Sequence, residues 1–203
     1  MKEHPILFST EMVKAILEGR KTMTRRVVKN AQPLADTVFH SKHISQDGTD
    51  WKFMSNPVPN VFNALGGWFK CPYGQVGDVL WVRETWCDDC PSASEPNGVC
   101  YKANRENQPA SDFCTKWKPS IFMPRWASRI TLEITDIRVE RLQEITEKDA
   151  IAEGIPAFAP NGIIRNYKIP QMQYEVLWDK INSKKYPWES NPWVWVISFK
   201  RVQ

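Results

Sequence analysis

The chain has 203 residues, 42% of them apolar and 25% charged, which is enough for a self-sufficient core and too hydrophobic for a disordered chain. No apolar run is long enough to span a bilayer, and the opening Met1-Lys2-Glu3-His4-Pro5 lacks the apolar core of a secretion signal, so the expected location is the cytoplasm. A net charge of +4 permits an anionic partner without requiring one, and ten tryptophans supply flat surfaces for a core or for stacking on bases.

Residues 5–8 are apolar, and Ser9-Thr10-Glu11 follows with a hydroxyl N-cap and an acidic first turn, the start of a helix. Met12, Val13, Ile16 and Leu17 form one stripe, and Gly19 supplies a left-handed C-cap. Arg20, Lys21, Arg25 and Arg26 then crowd into the turn or strand that leaves the helix. Such a run is a solvated face, a basic strand edge that blunts aggregation, or a site for an anion. Lys21 and Thr24 would face opposite ways in a regular strand, so joint action requires the segment to turn, which Gly19 allows.

Residues 30–75 show no sustained period and predict a long irregular insertion. Val76-Gly77-Asp78 then turns the chain into 79–86, which reads as one strand. A second irregular insertion covers 87–117, apart from a short strand around 99–102. Within it Cys87, Cys90, Cys100 and Cys114 include a CxxC and suit a structural zinc, with free thiols as the alternative. Five cysteines without an export signal do not suggest a disulfide framework, and His4, His40 and His43 stand in contexts that suggest no role.

In 129–142, Ile130, Leu132 and Ile134 alternate before Ile137 and Val139 resume out of phase, predicting a β-bulge or a break near Asp136. Thr146 with Asp149 is a variant capping box, and Gly154 closes the helix it opens. Pro170 opens another helix whose Tyr174, Leu177, Trp178 and Ile181 share a face, and 193–199 is apolar on both sides, as a central strand would be. Strands separated by short helices, with neither βαβ alternation nor a repeat, predict one domain over 1–203, of α+β class: a small β-barrel decorated with short helices and two insertions.

Four segments in order, Pro-Ile-Leu-Phe at 5–8, Gly-Arg-Lys-Thr-Met-Thr-Arg-Arg at 19–26, Val-Gly-Asp-Val-Leu-Trp-Val-Arg-Glu at 76–84 and Thr-Glu-Lys-Asp-Ala-Ile-Ala-Glu-Gly at 146–154, resemble the ASCH family of the PUA-like superfamily. Met-Pro-Arg-Trp-Ala-Ser-Arg-Ile at 123–130 is similar to a stretch in its longer phage and prophage members. The resemblance implies a PUA-like β-barrel with a cleft for RNA or a modified nucleoside. The family includes an amidohydrolase that removes acetyl from N4-acetylcytidine with a lysine, a threonine and a glutamate, which fall by resemblance on Lys21, Thr24 and Glu153. No cofactor is implied for that catalysis. Other activities in the family leave a ribonuclease, a non-catalytic RNA-binding module and a phage morphogenesis factor as alternatives.

The trio is chemically coherent. A threonine hydroxyl needs a base, and a lysine serves only if its pKa falls from about 10.4 towards neutrality, as burial and neighbouring arginines would make it. Glu153 could pass the proton to the leaving amine, or be an ordinary helix-end carboxylate. Arg20, Arg25 and Arg26 are candidate substrate-binding groups, and Arg83, Arg125, Trp126 and Arg129 form a second set suited to phosphate and a base face. In that second set Trp126 is otherwise a core residue, and Arg83 is otherwise the partner of Glu84.

Overall fold

The computed structural model describes residues 1–29, 39–44, 49–58, 61–89, 98–105, 116–156 and 169–202. In chain order the elements are β1 (Glu3–Leu7), α1 (Thr10–Leu17), β2 (Met23–Val27), β3 (Phe39–Ile44), β4 (Asp50–Val58), β5 (Val61–Lys70), β6 (Val79–Arg83), β7 (Trp86–Cys87), β8 (Cys100–Tyr101), β9 (Thr131–Arg141), α2 (Glu147–Ala152), α3 (Ile169–Asn182) and β10 (Trp193–Arg201), with short 3-10 turns between some of them.

Five strands form a mixed sheet in the order β1-β6-β9-β10-β2, parallel only between β1 and β6. Among the described residues it is open, with β1 and β2 as its edges, and no barrel closes. Helix α1 occupies the chain between those two edges and lays Val13 and Ile16 on the core that also holds Ile6, Phe8, Leu80 and Val82.

β10 sits between β9 and β2, as its two apolar faces predict. Trp193, Trp195, Ile197 and Phe199 join the α1-side core, while Val194 and Val196 meet Met23, Leu142, Ile145, Ala150, Tyr174 and Trp178 on the side of α2 and α3. The out-of-phase residues of 129–142 form one continuous strand, and the pairing with β10 jumps from Asp136 to Ile134, so that Thr135 is the extra residue of a bulge.

Two sequence expectations need correction. The segment 30–75 contains an antiparallel sheet, β3-β4-β5, whose register slips between Phe39 and Ser41, Trp51 and Phe53, and Ser55 and Val58. Each slip resets the two-residue period, which hides the strands from a pattern search. The single strand expected over 79–86 divides at Glu84 and Thr85: β6 joins the main sheet, whereas β7 pairs with β8. No helix among the described residues is long and apolar enough to cross a membrane.

Candidate active site

The start of β2 and the end of α2 are brought together by two helix ends. At the end of α1, the amides of Arg20 and Lys21 both donate to the Ala15 carbonyl, at 2.9 Å each, while Gly19 turns the chain at φ 74. Thr22 then donates its amide to the Ala152 carbonyl at 2.8 Å, and Lys21 forms an antiparallel bridge with Glu153. The start of α2 is fixed by the reciprocal capping of Thr146 and Asp149. Its end turns at Gly154, φ 95, where a Cβ would lie 3.0 Å from the Cβ of Ala15 and 3.2 Å from that of Lys21. Only glycine satisfies both the backbone angle and the approach.

That approach buries an ion pair. Lys21 Nζ donates to Glu153 Oε2 at 2.6 Å, to the Met23 carbonyl at 2.7 Å and to the Glu153 carbonyl at 2.9 Å, so all three ammonium hydrogens are engaged. The two side chains are 0% and 2% exposed. Burial holds the Lys21 amine below the ordinary lysine range, with the Glu153 carboxylate opposing that shift. Tyr174 donates its hydroxyl to Glu153 Oε1 at 3.3 Å, and burial pushes this phenol well above its ordinary value, so it remains a donor.

Arg25, also without side-chain exposure, reaches Glu153 Oε1 at 3.5 Å, Asp149 at 3.0 Å and Glu140 at 3.6 Å. Arg138 completes the network on Asp149 at 3.0 Å and Glu140 at 2.5 Å. Three cations thus interleave with three carboxylates, and the cluster adds no net charge when all six are ionised.

A cavity of about 60 Å³ lies beside this network, walled by Met12 of α1, by Thr24, Arg25, Arg26 and Val27 of β2, by Glu153, and by Tyr174, Leu177, Trp178, Ile181 and Asn182 of α3. A liquid water takes about 30 Å³, so the space fits an acyl group or two waters and not a whole nucleoside. Thr24 is buried, and its hydroxyl has no hydrogen-bond partner among the described residues. Lys21 meets the cavity only through Glu153.

Among the described residues no strand pairs with the outer edge of β2. Val28 donates to the Trp193 carbonyl and Phe199 to the Thr22 carbonyl, each at 2.9 Å, so in this antiparallel pair the even-numbered residues bond β10 and the odd ones point outward. Lys21 takes the Met23 carbonyl. The backbone N–H and C=O groups of Arg25 and Val27 have no partner among the described residues.

Arg26 points away from its neighbour, donating to the Leu7 carbonyl at 2.7 Å with its guanidinium 5.2 Å from the Phe8 ring. Arg20 bonds Glu18 and the Gly154 carbonyl and so fastens the turn from outside. None of the second set lines the cavity. Arg125 forks onto Glu3 at 2.8 and 3.0 Å, and Arg129 forks onto Glu84 at 2.9 and 3.1 Å. Arg83 donates to the Ile121 carbonyl and lies 5.5 Å over Trp81, so it is Arg129 and not Arg83 that pairs with Glu84. Trp126 is 59% exposed and meets Trp86 only edge-on, which removes it from the core.

Of the four cysteines suited to zinc, Cys90 and Cys114 lie outside the described residues. Cys87 and Cys100 face each other across β7 and β8; the first is a free, buried thiol and the second is disulfide-bonded. A disulfide sulfur is no thiolate ligand, so in this state Cys100 leaves the proposed set, and the disulfide itself was not expected. No group of three or more His, Cys, Asp or Glu arranged for a metal occurs among the described residues. Tyr174, Asp149, Arg138 and Glu140 are site residues that sequence reasoning did not assign. Asp149 lies inside the motif that carried Glu153, and Tyr174 on a helix face read as apolar.

No protein-family model, no curated protein and no solved structure matches this chain.

Proposed function

We propose that the chain is an ASCH protein of PUA-like descent that hydrolyses the acetyl amide of N4-acetylcytidine or a related modified nucleoside, with Lys21, Thr24 and Glu153 as the reacting groups. The observation that carries this reading is the buried Lys21–Glu153 pair, at 2.6 Å, meeting a small cavity that Thr24 also lines.

Moving one proton across the pair gives a carboxylic acid and a neutral amine, the form that burial favours for Lys21. The Glu153 carboxyl, which lines the cavity where Lys21 does not, returns its proton to the amine and accepts the Thr24 proton as the hydroxyl oxygen adds to the acetyl carbon. The acid gives its proton to the exocyclic nitrogen as the carbon–nitrogen bond breaks. Water next attacks the acetyl ester on Thr24 and gives one proton to the Glu153 carboxylate, which passes it to the Thr24 oxygen as acetic acid leaves and loses its own proton to solvent.

A second reading rests on the same pair: with all three Lys21 hydrogens satisfied inside the protein, the contact serves as a structural tie between β2 and α2. A non-catalytic RNA-binding module finds less support at this cavity, because Arg25 is committed to carboxylates. Acetate release from N4-acetylcytidine decides between them. The hydrolase reading expects turnover that falls by about 100-fold or more in Thr24→Val and in Glu153→Gln, with circular dichroism unchanged. No acetate from the unaltered protein, or variants that keep its rate, would leave the structural tie.

A further inference from the structure

We infer that the outer edge of β2 carries a second subsite, for a nucleotide unit linked to the one being deacetylated, so that the preferred substrate is a phosphodiester-linked nucleotide and not a free nucleoside. The inference rests on the hydrolase reading for what occupies the first cavity; the subsite stands on its own observations.

A second cavity of about 300 Å³ is walled by Val27, Val28, Lys29, Lys70, Pro72, Tyr73 and Trp195. It has the lower size of a ligand site, where the first has not. Val27 belongs to both walls, so the two spaces adjoin along one strand. Thr24 and Val28 are four residues apart on extended chain, about 13 Å, a distance no single base spans. The first space takes only the acyl group, so a ligand that reaches along β2 to both lysines extends beyond the acetylated base by a sugar and a phosphate, the link to a second nucleotide unit.

The chemistry of the second space fits a nucleotide. Tyr73, Pro72 and the edge of Trp195 give a base apolar and aromatic surface. At the mouth Lys29 is exposed and has no ion pair or hydrogen bond among the described residues, and Lys70 is held only loosely, 3.5 Å from Asp50 with its side chain 75% exposed. Two such lysines suit one phosphate. Between the spaces, the N–H and C=O of Val27, without a partner among the described residues, offer a donor and an acceptor to a sugar or a base edge. A peptide strand adding to this edge would use the same backbone groups but would leave the lysines and Tyr73 unused.

The test compares kcat/KM for N4-acetylcytidine with kcat/KM for dinucleotides carrying it at either end. We expect one dinucleotide to exceed the nucleoside by about tenfold or more, and this ratio to fall to about one in Lys29→Ala/Lys70→Ala and in Tyr73→Ala. A ratio near one in the unaltered protein, or one that the variants leave unchanged, overturns the subsite. If neither substrate is hydrolysed, the hydrolase reading has failed and the subsite is read by binding of a labelled single-stranded RNA. Salt-sensitive binding that weakens about tenfold or more in the double variant upholds it. Absence of RNA binding, binding indifferent to both lysines, or capture of an extended peptide in its place, overturns it.

Discussion

Arg25 of β2 and Asp149 of α2 meet at 3.0 Å, and Arg138 of β9 holds the other oxygen of the same carboxylate at 3.0 Å. Burial works to raise the Asp149 carboxyl, but the Thr146 amide and the two arginines overcome it and hold the group below the ordinary aspartate range. A carboxyl whose folded pKa lies below its unfolded value of about 3.9 stabilises the fold above that value and loses the contribution as pH falls through the folded pKa. We expect Tm to drop as pH falls below about 4, and Asp149→Asn to lower Tm near pH 7 while flattening the acid dependence. Thermal melts across the acid range check both.

Arg25 and Arg26 should separate in stability. Arg25→Met leaves three carboxylates facing an apolar side chain and should cost about 3–5 kcal/mol. Arg26→Met gives up a carbonyl contact and a ring contact near the surface, at about 1 kcal/mol. Urea denaturation of the two variants measures the difference, and equal costs would contradict the burial of Arg25.

Gly154→Ala puts a side chain where the backbone is left-handed and where Ala15 lies 3.0 Å away. The strain alone should cost about 1–3 kcal/mol. Because the same turn seats Glu153 against Lys21, the proposed hydrolase function expects acetate release to fall beyond what the lost stability explains. Activity measured well below the variant's own Tm separates the two effects.

Two tryptophans should respond oppositely to truncation. Trp195 is 2% exposed, with its ring 4.8 Å from that of Trp51. Trp195→Ala should cost about 3–5 kcal/mol, whereas the exposed Trp126→Ala should cost under about 1 kcal/mol. Calorimetry of both variants tests the expectation.

Cys71 and Cys87 are free and buried, and burial pushes the Cys71 thiol up to about 12. Reaction with an aromatic disulfide reagent near pH 8 should therefore be slow in the native protein and rapid after unfolding, since the thiolate is the reactive form. Fast native reaction at Cys71 would refute its burial.

Helix ends and the central strand were legible because each rests on local chemistry: Ser9 and Thr146 as caps, Gly19 and Gly154 as left-handed turns, and unbroken apolar residues in β10. The strands of 30–75 were not, since register slips erase the period that a sequence reading depends on. At the site, Lys21 and Glu153 were readable through motif order, whereas grouping Arg25 with Arg26 missed that one is buried among carboxylates and the other bonds the Leu7 carbonyl. Their partners were not readable: nothing local distinguishes Arg138 or Glu140 from any exposed strand charge, and their role arises only when β2, β9 and α2 converge. The alternative reading of Trp126 as a core residue failed for the complementary reason, since a 3-10 turn leaves its ring outside although its residue type favours the interior.

The placement of β10 between β9 and β2 has a consequence in time. β2 is synthesised some 170 positions before β10 and has no other strand partner among the described residues. As the chain leaves the ribosome, the strand bearing Thr24 and Arg25 stays without its neighbour until nearly all the remaining sequence has been made, and such distant pairing is slow and exposes strand edges. The strand bearing Thr24 therefore emerges well before it can be secured, so nascent chains halted before residue 193 should, on the hydrolase reading, remain inactive and dependent on chaperones even with every proposed catalytic residue already made.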